Sequence, residues 1–125
     1  MDLFQILSRL NPQKDVDGLT PQNLGRLLWK QDAIIPCTPA GILALLDHDN
    51  IALSGIRAVV IGRSLLVGRT LGLLLEQRGA TVSTIHTKTI EPHKISQQAD
   101  LLVAAAGVPG LVSAEWIKPG AVIID

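Results

Sequence analysis

The feature that most constrains this chain is an apolar, strand-like run that leads directly into a turn and then into a leucine-rich helical pattern. The run is AVVI at residues 58–61, and the turn is GRSLLVG at residues 62–68. This layout is typical of a dinucleotide-binding βα unit. Gly62 permits a sharp bend, Ser64 is small enough to admit a pyrophosphate, and Gly68 allows close packing of helix on strand. The helix N-terminus then offers unpaired N–H groups to the phosphates.

The spacing of this turn differs from the usual fingerprint. It reads G-x-S-x-x-x-G in place of G-x-G-x-x-G, which weakens the motif when it is taken alone. A glycine-rich strand–helix turn that binds no ligand is therefore the alternative at this point.

The end of the second predicted strand indicates which dinucleotide the turn would bind. In NAD enzymes an acidic residue roughly 20 positions further on binds the ribose 2′-hydroxyl. Here the corresponding segment is HTKT at residues 86–89, which contains no carboxylate. A 2′-phosphate carries about two negative charges, so Arg63 and the hydroxyl of Thr87 suit it, as does Lys88. The sequence thus predicts NADP rather than NAD, unless Arg63 and Lys88 are merely solvated cations.

Composition excludes several classes of protein. Eleven basic and eleven acidic residues give a formal net charge of zero, so nothing points to a nucleic acid or to an anionic membrane as partner. The single cysteine, Cys37, precludes an internal disulfide and fits a reducing compartment. No apolar stretch approaches the roughly 20 residues that span a bilayer. We expect a cytoplasmic protein with no nucleic-acid or membrane partner.

The sequence offers no convincing metal site. His48, His86 and His93 do not lie at the spacing of metal ligands. Asp15 and Asp17 flank a single residue in a polar loop without a nearby histidine or cysteine, so a role in forming the turn is the alternative to metal or acid–base chemistry. We expect no bound metal.

Strand-like and helix-like segments alternate in the second half of the chain. The pattern predicts strands at residues 57–61, 81–85, 101–105 and 121–124, and helices at 66–78 and 92–98. Continuous apolar strands are typical of a parallel sheet buried on both faces. The predicted fold class is therefore α/β, a Rossmann-like doubly wound parallel sheet. Right-handed crossovers would gather Gly62, Thr87, Gly107 and Asp125 at its carboxyl edge.

The first part of the chain is less regular. We predict a short helix at residues 2–9, an irregular turn-rich segment at 11–32, and a helix at 40–47 that Thr38 caps and Pro39 begins. Trp29 and Trp116 are expected to be packing residues rather than platforms on which a ligand stacks.

Four stretches together point to a known family. In chain order they are NPQKDVDGL (11–19), IPCTPAG (35–41), VVIGRSLLVG (59–68) and WIKPGAVIID (116–125). Their order and spacing resemble those of the bifunctional methylenetetrahydrofolate dehydrogenase/cyclohydrolase family, and the match extends over essentially the whole chain. Each stretch alone would be weak, whereas the four together are highly specific.

The resemblance implies an enzyme of one-carbon metabolism. Such enzymes oxidise methylenetetrahydrofolate to the methenyl form with NADP, and then hydrolyse that product to formyltetrahydrofolate. By the same resemblance, Gly62, Arg63, Ser64 and Gly68 belong to the cofactor-binding loop, with Arg63 on the 2′-phosphate. Thr87 stands where the family usually has a serine that shares this phosphate.

The resemblance also implies a substrate residue and a domain junction. Asp17 corresponds to a carboxylate that faces the pterin ring of a tetrahydrofolate-type substrate. Thr38 lies in the segment that joins the two domains near the nicotinamide, and we include it among the cofactor-binding residues. Family members commonly form homodimers through the nucleotide-binding domain, so a homodimer is expected.

Part of the family's chemistry is missing. The cyclohydrolase step uses a tyrosine and a lysine in a Y-x-x-x-K arrangement, and this chain contains no tyrosine. We therefore expect residues 1–35 to be the end of a folate-binding catalytic domain, residues 36–125 to be a truncated NADP-binding domain, and no catalytic residue to lie in this piece. The alternatives are an NAD(P)-binding module without turnover and an NAD-using monofunctional relative.

Overall fold

The computed structural model describes residues 2–125 and contains one parallel sheet with helices on both sides. The helices are α1 (Leu3–Arg9), α2 (Pro21–Leu28), α3 (Cys37–His48), α4 (Thr70–Gln77) and α5 (Pro92–Ser96). The strands are β1 (Arg57–Ile61), β2 (Thr81–Ile85), β3 (Leu101–Ala104) and β4 (Val122–Ile124). Short 3₁₀ turns occur at Pro12–Lys14 and Ala114–Trp116, and a π-helical turn at Leu65–Arg69 precedes α4.

The sheet has the order β2-β1-β3-β4, and all neighbouring strands are parallel. Arg57 pairs with Thr81 at the start of β1, and Ile61 pairs with Ile85 at its end. The predicted α/β class and parallel sheet are therefore confirmed. Because β1 lies between β2 and β3, the loops that follow these three strands leave the sheet side by side.

Side chains alternate between two cores, as the period of a β-strand requires. Ala58 and Val60 of β1 face a larger core that also contains buried side chains of α3 and α4. Val59 and Ile61 face a smaller core with Leu102 of β3, against which Trp116 packs. Burial on both faces explains why β1 is an uninterrupted apolar run.

The expectation that every strand is buried on both faces is wrong for the two outer strands. The central strands β1 and β3 are almost wholly buried, whereas β2 exposes Thr81, Ser83 and Thr84, and β4 exposes Ile123. These two strands lie at the edges of the sheet and are flanked on one side only. The polar residues of β2 indicate this edge position, since edge strands tolerate polar side chains.

Residues 11–32 are not irregular throughout, because they contain α2. The hydroxyl of Thr20 accepts a hydrogen bond from the Asn23 N–H at 3.3 Å, and Pro21 occupies the first helical position. This combination of a threonine cap and a following proline is a helix-start signal. Leu27 of α2 is buried in the larger core. Trp29, which directly follows α2, is 78% exposed, so the prediction that it packs in the interior is wrong.

The helix α3 begins one residue before its predicted cap. Pro36 is the buried residue that precedes it, no side chain caps its N-terminus, and Thr38 is exposed within the first turn. Pro39 remains compatible with this earlier start because the N–H groups of the first turn have no intrahelical partner in any case.

Candidate functional site

The loop after β1 requires glycine at its first position. Gly62 has φ +113°, and a Cβ there would lie 2.5 Å from the carbonyl oxygen of Ala105. Its N–H donates to the Ile85 carbonyl at 2.8 Å, which joins the ends of β1 and β2. The backbone therefore turns out of the sheet in a space that no side chain could share.

The serine of this turn caps the helical segment that follows. The Ser64 hydroxyl oxygen accepts hydrogen bonds from the N–H groups of Val67 at 3.2 Å and Gly68 at 3.4 Å. Its hydroxyl proton is therefore left to donate elsewhere. The N–H groups of the first helical residues have no intrahelical acceptor, so this end of the segment has a partial positive charge.

A π-helical turn accommodates the unusual spacing of the motif. The Arg69 N–H donates to the Ser64 carbonyl at 3.0 Å, and the Thr70 hydroxyl donates to the Leu65 carbonyl at 2.7 Å. A π turn holds one more residue than an α turn. Gly68 consequently still reaches the bend, where a Cβ on it would lie 2.3 Å from the Gly62 carbonyl oxygen. The longer motif thus produces the same close contact between helix and strand as the standard one.

The loop after β2 is a tight turn over residues 86–89. The Thr89 N–H donates to the His86 carbonyl at 2.8 Å, and the His86 N–H donates to the Thr89 hydroxyl oxygen at 2.9 Å. In addition, the Lys88 N–H donates to Nδ1 of His86 at 3.2 Å. Thr87 is exposed at the tip of this turn.

The two loops line one cavity of about 440 Å³. Gly62, Arg63 and Ser64 contribute one wall, and His86 and Thr87 contribute another. Thr89 and a set of apolar residues complete the lining, namely Ile85, Pro92, Ala105, Ala106, Val108, Leu111 and Trp116. The structure thus brings four predicted cofactor residues together in one cavity.

The charge of this cavity favours an anion. Arg63 is exposed, and no ion pair to its guanidinium is present within residues 2–125. No aspartate or glutamate is among the described residues that line the cavity. An arginine without a carboxylate partner, beside hydroxyl groups and a helical N-terminus, is a combination suited to phosphate. Lys88 does not line the cavity.

A second cavity of about 500 Å³ lies next to the first. It contains Gly107 and Asp125, which we predicted at the same edge of the sheet as Gly62. The two cavities share Ala106, Val108 and Leu111. Together they are lined by residues that follow β1, β2 and β3 and by Asp125, which follows β4.

Asp17 and Thr38 line neither of these cavities. Both are exposed, so their predicted contacts with a substrate and a cofactor remain predictions. Gly68 lies behind the cavity wall, where it determines how closely the helical segment approaches β1.

Asp15 stabilises the loop that contains Asp17. The buried Asp15 carboxylate accepts hydrogen bonds from the N–H groups of Leu19 at 3.0 Å and Thr20 at 2.7 Å. Burial raises the pKa of this carboxyl, but the Thr20 hydroxyl and these N–H groups lower it further than burial raises it, so the pKa lies below its ordinary value. For Asp15, the role in forming the turn is the observed one.

Asn23 fixes the same loop from the other side. Its amide nitrogen donates to the carbonyl oxygens of Gly18 at 3.0 Å and Ile34 at 2.6 Å, and its amide oxygen accepts from the Ile34 N–H at 3.0 Å. Gly18 has φ +71°, and a Cβ there would lie 2.2 Å from the Ile34 oxygen. Residues 15–19 are therefore tied both to α2 and to the segment that precedes α3.

Replacement of Asp15 by asparagine is expected to lower the free energy of unfolding by about 2 kcal/mol at neutral pH. An asparagine oxygen replaces only one of the two acceptors, and its amide group faces the other N–H. Because the native pKa is lowered, the advantage of the carboxylate is full above its ordinary pKa of 3.8 and is lost as the pH falls through the native value. Urea unfolding at pH 7 and at pH 3 measures both effects.

The control for this substitution is Asp17→Asn, which changes the same charge two residues away on an exposed side chain. Its free energy of unfolding should match that of the wild type within about 0.5 kcal/mol. Equal stability of Asp15→Asn and Asp17→Asn would contradict the role assigned to Asp15.

The lining residues that the sequence did not assign to the site include three with a polar or aromatic side chain, His86, Thr89 and Trp116. The other unassigned lining residues are apolar. The signal for His86 and Thr89 was their position on either side of Thr87, directly after β2. Trp116 packs against the smaller core, as predicted, and also lines the cavity.

Comparison with known proteins agrees with this geometry. The model of the tetrahydrofolate dehydrogenase/cyclohydrolase NAD(P)-binding domain matches residues 36–125. The chain belongs to this family. Two Arabidopsis thaliana members are similar over the whole chain: bifunctional protein FolD 3, chloroplastic, at 49% identity, and bifunctional protein FolD 4, chloroplastic, at 48%. The chain spans 41% and 35% of the lengths of these two relatives.

Solved structures of the family have the same fold. The bifunctional FolD enzyme of Campylobacter jejuni superimposes with a TM-score of 0.95 at 39% identity, over 99% of this chain and 44% of that one. The Trypanosoma brucei FolD, solved with NADP cofactor and inhibitor, gives a TM-score of 0.92 at 39% identity, over 100% of this chain and 43% of that one. Membership of the family, predicted from the four sequence stretches, is thereby confirmed.

The described residues contain neither a membrane-spanning helix nor a cluster of metal ligands. None of the helices within residues 2–125 is both long and apolar enough to cross a bilayer. Over the same residues, histidine, cysteine and acidic side chains do not come together in groups of three or more that could hold a metal ion.

Proposed function

We propose that this chain binds NADP and supplies the cofactor-binding part of a methylenetetrahydrofolate dehydrogenase/cyclohydrolase. The observation that supports it best is that Arg63 and Thr87 line the same cavity, and that none of its described lining residues is a carboxylate. An aspartate or glutamate at this place would favour the free 2′-hydroxyl of NAD. The Trypanosoma brucei relative, which was solved with NADP, adds support from the family.

Different residues of the cavity would bind different parts of the cofactor. The guanidinium of Arg63 and the hydroxyl of Thr87 would hold the 2′-phosphate, and the Ser64 hydroxyl with the adjoining N–H groups would hold the pyrophosphate. The apolar lining, including Trp116, suits the flat adenine ring. The neighbouring cavity around Gly107 would then receive the nicotinamide end.

The contribution of this chain to catalysis is positioning. NADP would supply the hydride acceptor, and the chain's own residues would determine where the transfer can happen, because holding the phosphorylated end restrains the reacting end. Asp17 would accept hydrogen bonds from the pterin of a tetrahydrofolate substrate, and Thr38 would contribute to the cofactor contacts. Hydrolysis of the methenyl product would require the tyrosine and lysine of the family's Y-x-x-x-K arrangement, which this chain lacks because it has no tyrosine.

Residues 1–35 would belong to the folate-binding domain and residues 36–125 to the NADP-binding domain. A homodimer would form through the latter, with no nucleic acid or membrane involved. A cytoplasmic location is the prediction from sequence, although the two plant relatives are named as chloroplastic.

Titration of the chain with NADP and with NAD tests the proposal. We expect NADP to bind at least about tenfold more tightly, since one charge-assisted contact contributes roughly 1.5–3 kcal/mol. Trp116 lines the cavity, so its fluorescence can report binding. Trp29→Phe removes the exposed second tryptophan and with it the background signal.

Competition with smaller ligands locates the source of the preference. Adenosine 2′,5′-bisphosphate should displace NADP at far lower concentrations than adenosine 5′-monophosphate, because only the former has the 2′-phosphate. Equal affinity for NADP and NAD would contradict the proposal and favour a module without this specificity. Tighter binding of NAD would favour the NAD-using relative.

A further inference from the structure

We propose that His86 and Thr89 are positioning residues that hold the Thr87 hydroxyl in place for the 2′-phosphate and so determine the preference for NADP. The inference rests on the proposed function, because it concerns how that same site distinguishes the two cofactors. The sequence assigned no role to either residue.

The turn at residues 86–89 is closed by its own side chains as well as by its backbone. Alongside the backbone bond from the Thr89 N–H to the His86 carbonyl, two side chains each accept from a backbone N–H of the turn. The Thr89 hydroxyl oxygen accepts from His86 at 2.9 Å, and Nδ1 of His86 accepts from Lys88 at 3.2 Å. Thr87, between these residues, is fixed by its neighbours on both sides.

The position of this turn explains why hydrogen bonds from its own side chains are needed to stabilise it. It extends from β2, which is an edge strand, so no further strand of residues 2–125 supports its outer side. Thr87 is exposed, and no hydrogen bond ties its own side chain to another described residue. Its hydroxyl is therefore available to a ligand, but it would be mobile if the backbone beneath it were free to change conformation. A mobile donor contributes less to the binding free energy, because ordering it on binding costs conformational entropy.

The imidazole acts here as an acceptor. With Nδ1 occupied by the Lys88 N–H, the proton of the neutral ring lies on Nε2. An asparagine at position 86 could place its amide oxygen near the location of Nδ1 and accept the same N–H, as asparagine commonly does in turns. An alanine could not. Comparison of His86→Asn with His86→Ala therefore tests whether the hydrogen-bond acceptor is the property of the histidine that matters.

The test is a double-substitution cycle on the full chain, with NADP and NAD affinities as the readout. Thr87→Ala is expected to weaken NADP binding about tenfold and NAD binding less than twofold. His86→Ala should weaken NADP binding by about fivefold to tenfold, again with little change for NAD. In the double variant His86→Ala/Thr87→Ala, NADP affinity should equal that of Thr87→Ala alone, because the histidine acts through the threonine.

The conservative variants complete the test. His86→Asn should restore NADP affinity to within about threefold of the wild type, because it retains the acceptor. Thr89→Val preserves the shape of Thr89 but removes its acceptor oxygen, and it should reproduce the selective loss. If His86→Ala does not fold, Thr89→Val takes its place in the cycle with Thr87→Ala.

The outcomes that overturn the inference differ from those that overturn the proposed function. Additive losses in the double variant would mean that His86 contacts the cofactor itself, and His86→Asn binding as weakly as His86→Ala would mean that the acceptor is irrelevant. Either result overturns the inference while the NADP site stands. A wild-type chain that does not prefer NADP overturns both.

Discussion

Replacement of Gly68 by alanine is expected to lower the free energy of unfolding by about 3 kcal/mol and to eliminate measurable NADP binding. The added Cβ would lie 2.3 Å from the carbonyl oxygen and 2.7 Å from the carbonyl carbon of Gly62. Both atoms belong to the backbone at the end of β1, so neither can move aside as a flexible side chain could. The helical segment must instead shift away from the sheet, which displaces Ser64 and the N–H groups beside it.

Gly72→Ala is the matched control for this substitution. Gly72 lies one turn further along in α4, where a Cβ would make an ordinary contact of 3.6 Å with the Val82 side chain. Alanine is favoured over glycine in a helix by about 1 kcal/mol, so this variant should be as stable as the wild type or more so. Chemical unfolding and NADP titration of both variants provide the comparison. A Gly68→Ala protein with wild-type stability would show that the close approach of helix and strand is not required.

Replacement of Arg63 by alanine is expected to weaken NADP binding by about 30-fold while NAD binding changes less than threefold. A hydrogen-bonded charge pair with a dianionic phosphate contributes roughly 1.5–3 kcal/mol, and the guanidinium provides two parallel donors to it. NAD has no 2′-phosphate for Arg63 to bind. The result is therefore a change of preference rather than a general loss of affinity, and fluorescence titration with both cofactors measures it.

Arg69→Ala is the control for the removal of charge. Arg69 is an exposed arginine at the end of the π-helical turn that follows Arg63 and Ser64, and it does not line the cavity. Loss of its charge should lower the affinity for both cofactors equally and by less than about threefold, since exposed charges are screened by salt. If Arg63→Ala and Arg69→Ala had the same effect, a general attraction of the basic turn for anions would explain binding, without a specific contact at Arg63.

The sequence predicts the central part of this fold accurately. The bounds of β1 and β2 match the predicted ranges. For β1, an apolar run between a turn and Gly62 leaves little freedom in where the strand begins and ends. The meeting of Gly62, Arg63, Ser64 and Thr87 was likewise predictable. Parallel strands with right-handed crossovers place their carboxyl ends at one edge whatever the side chains are.

What could not be predicted depends on interactions between distant residues. Whether a strand lies in the middle or at the edge of a sheet depends on the strand order. The exposure of β2 could therefore be recognised only once the structure of the sheet was known. The helix α2 was overlooked because its polar residues resemble a loop, although Thr20 and Pro21 mark its start. The role of His86 depends on a hydrogen bond between its ring and the Lys88 N–H, a contact that no spacing in the sequence indicates.

The widened turn before α4 has a consequence for how much the length of this loop can vary. An extra residue inside an ordinary helix would rotate everything beyond it by about 100°, and Leu71, Leu74 and Leu75 would leave the core in which they are buried. In this chain the π-helical turn accommodates the additional residue before α4 begins. Deletion of one residue at this point would convert the π turn into an ordinary α turn, so it is expected to leave the leucine face and the sheet in register.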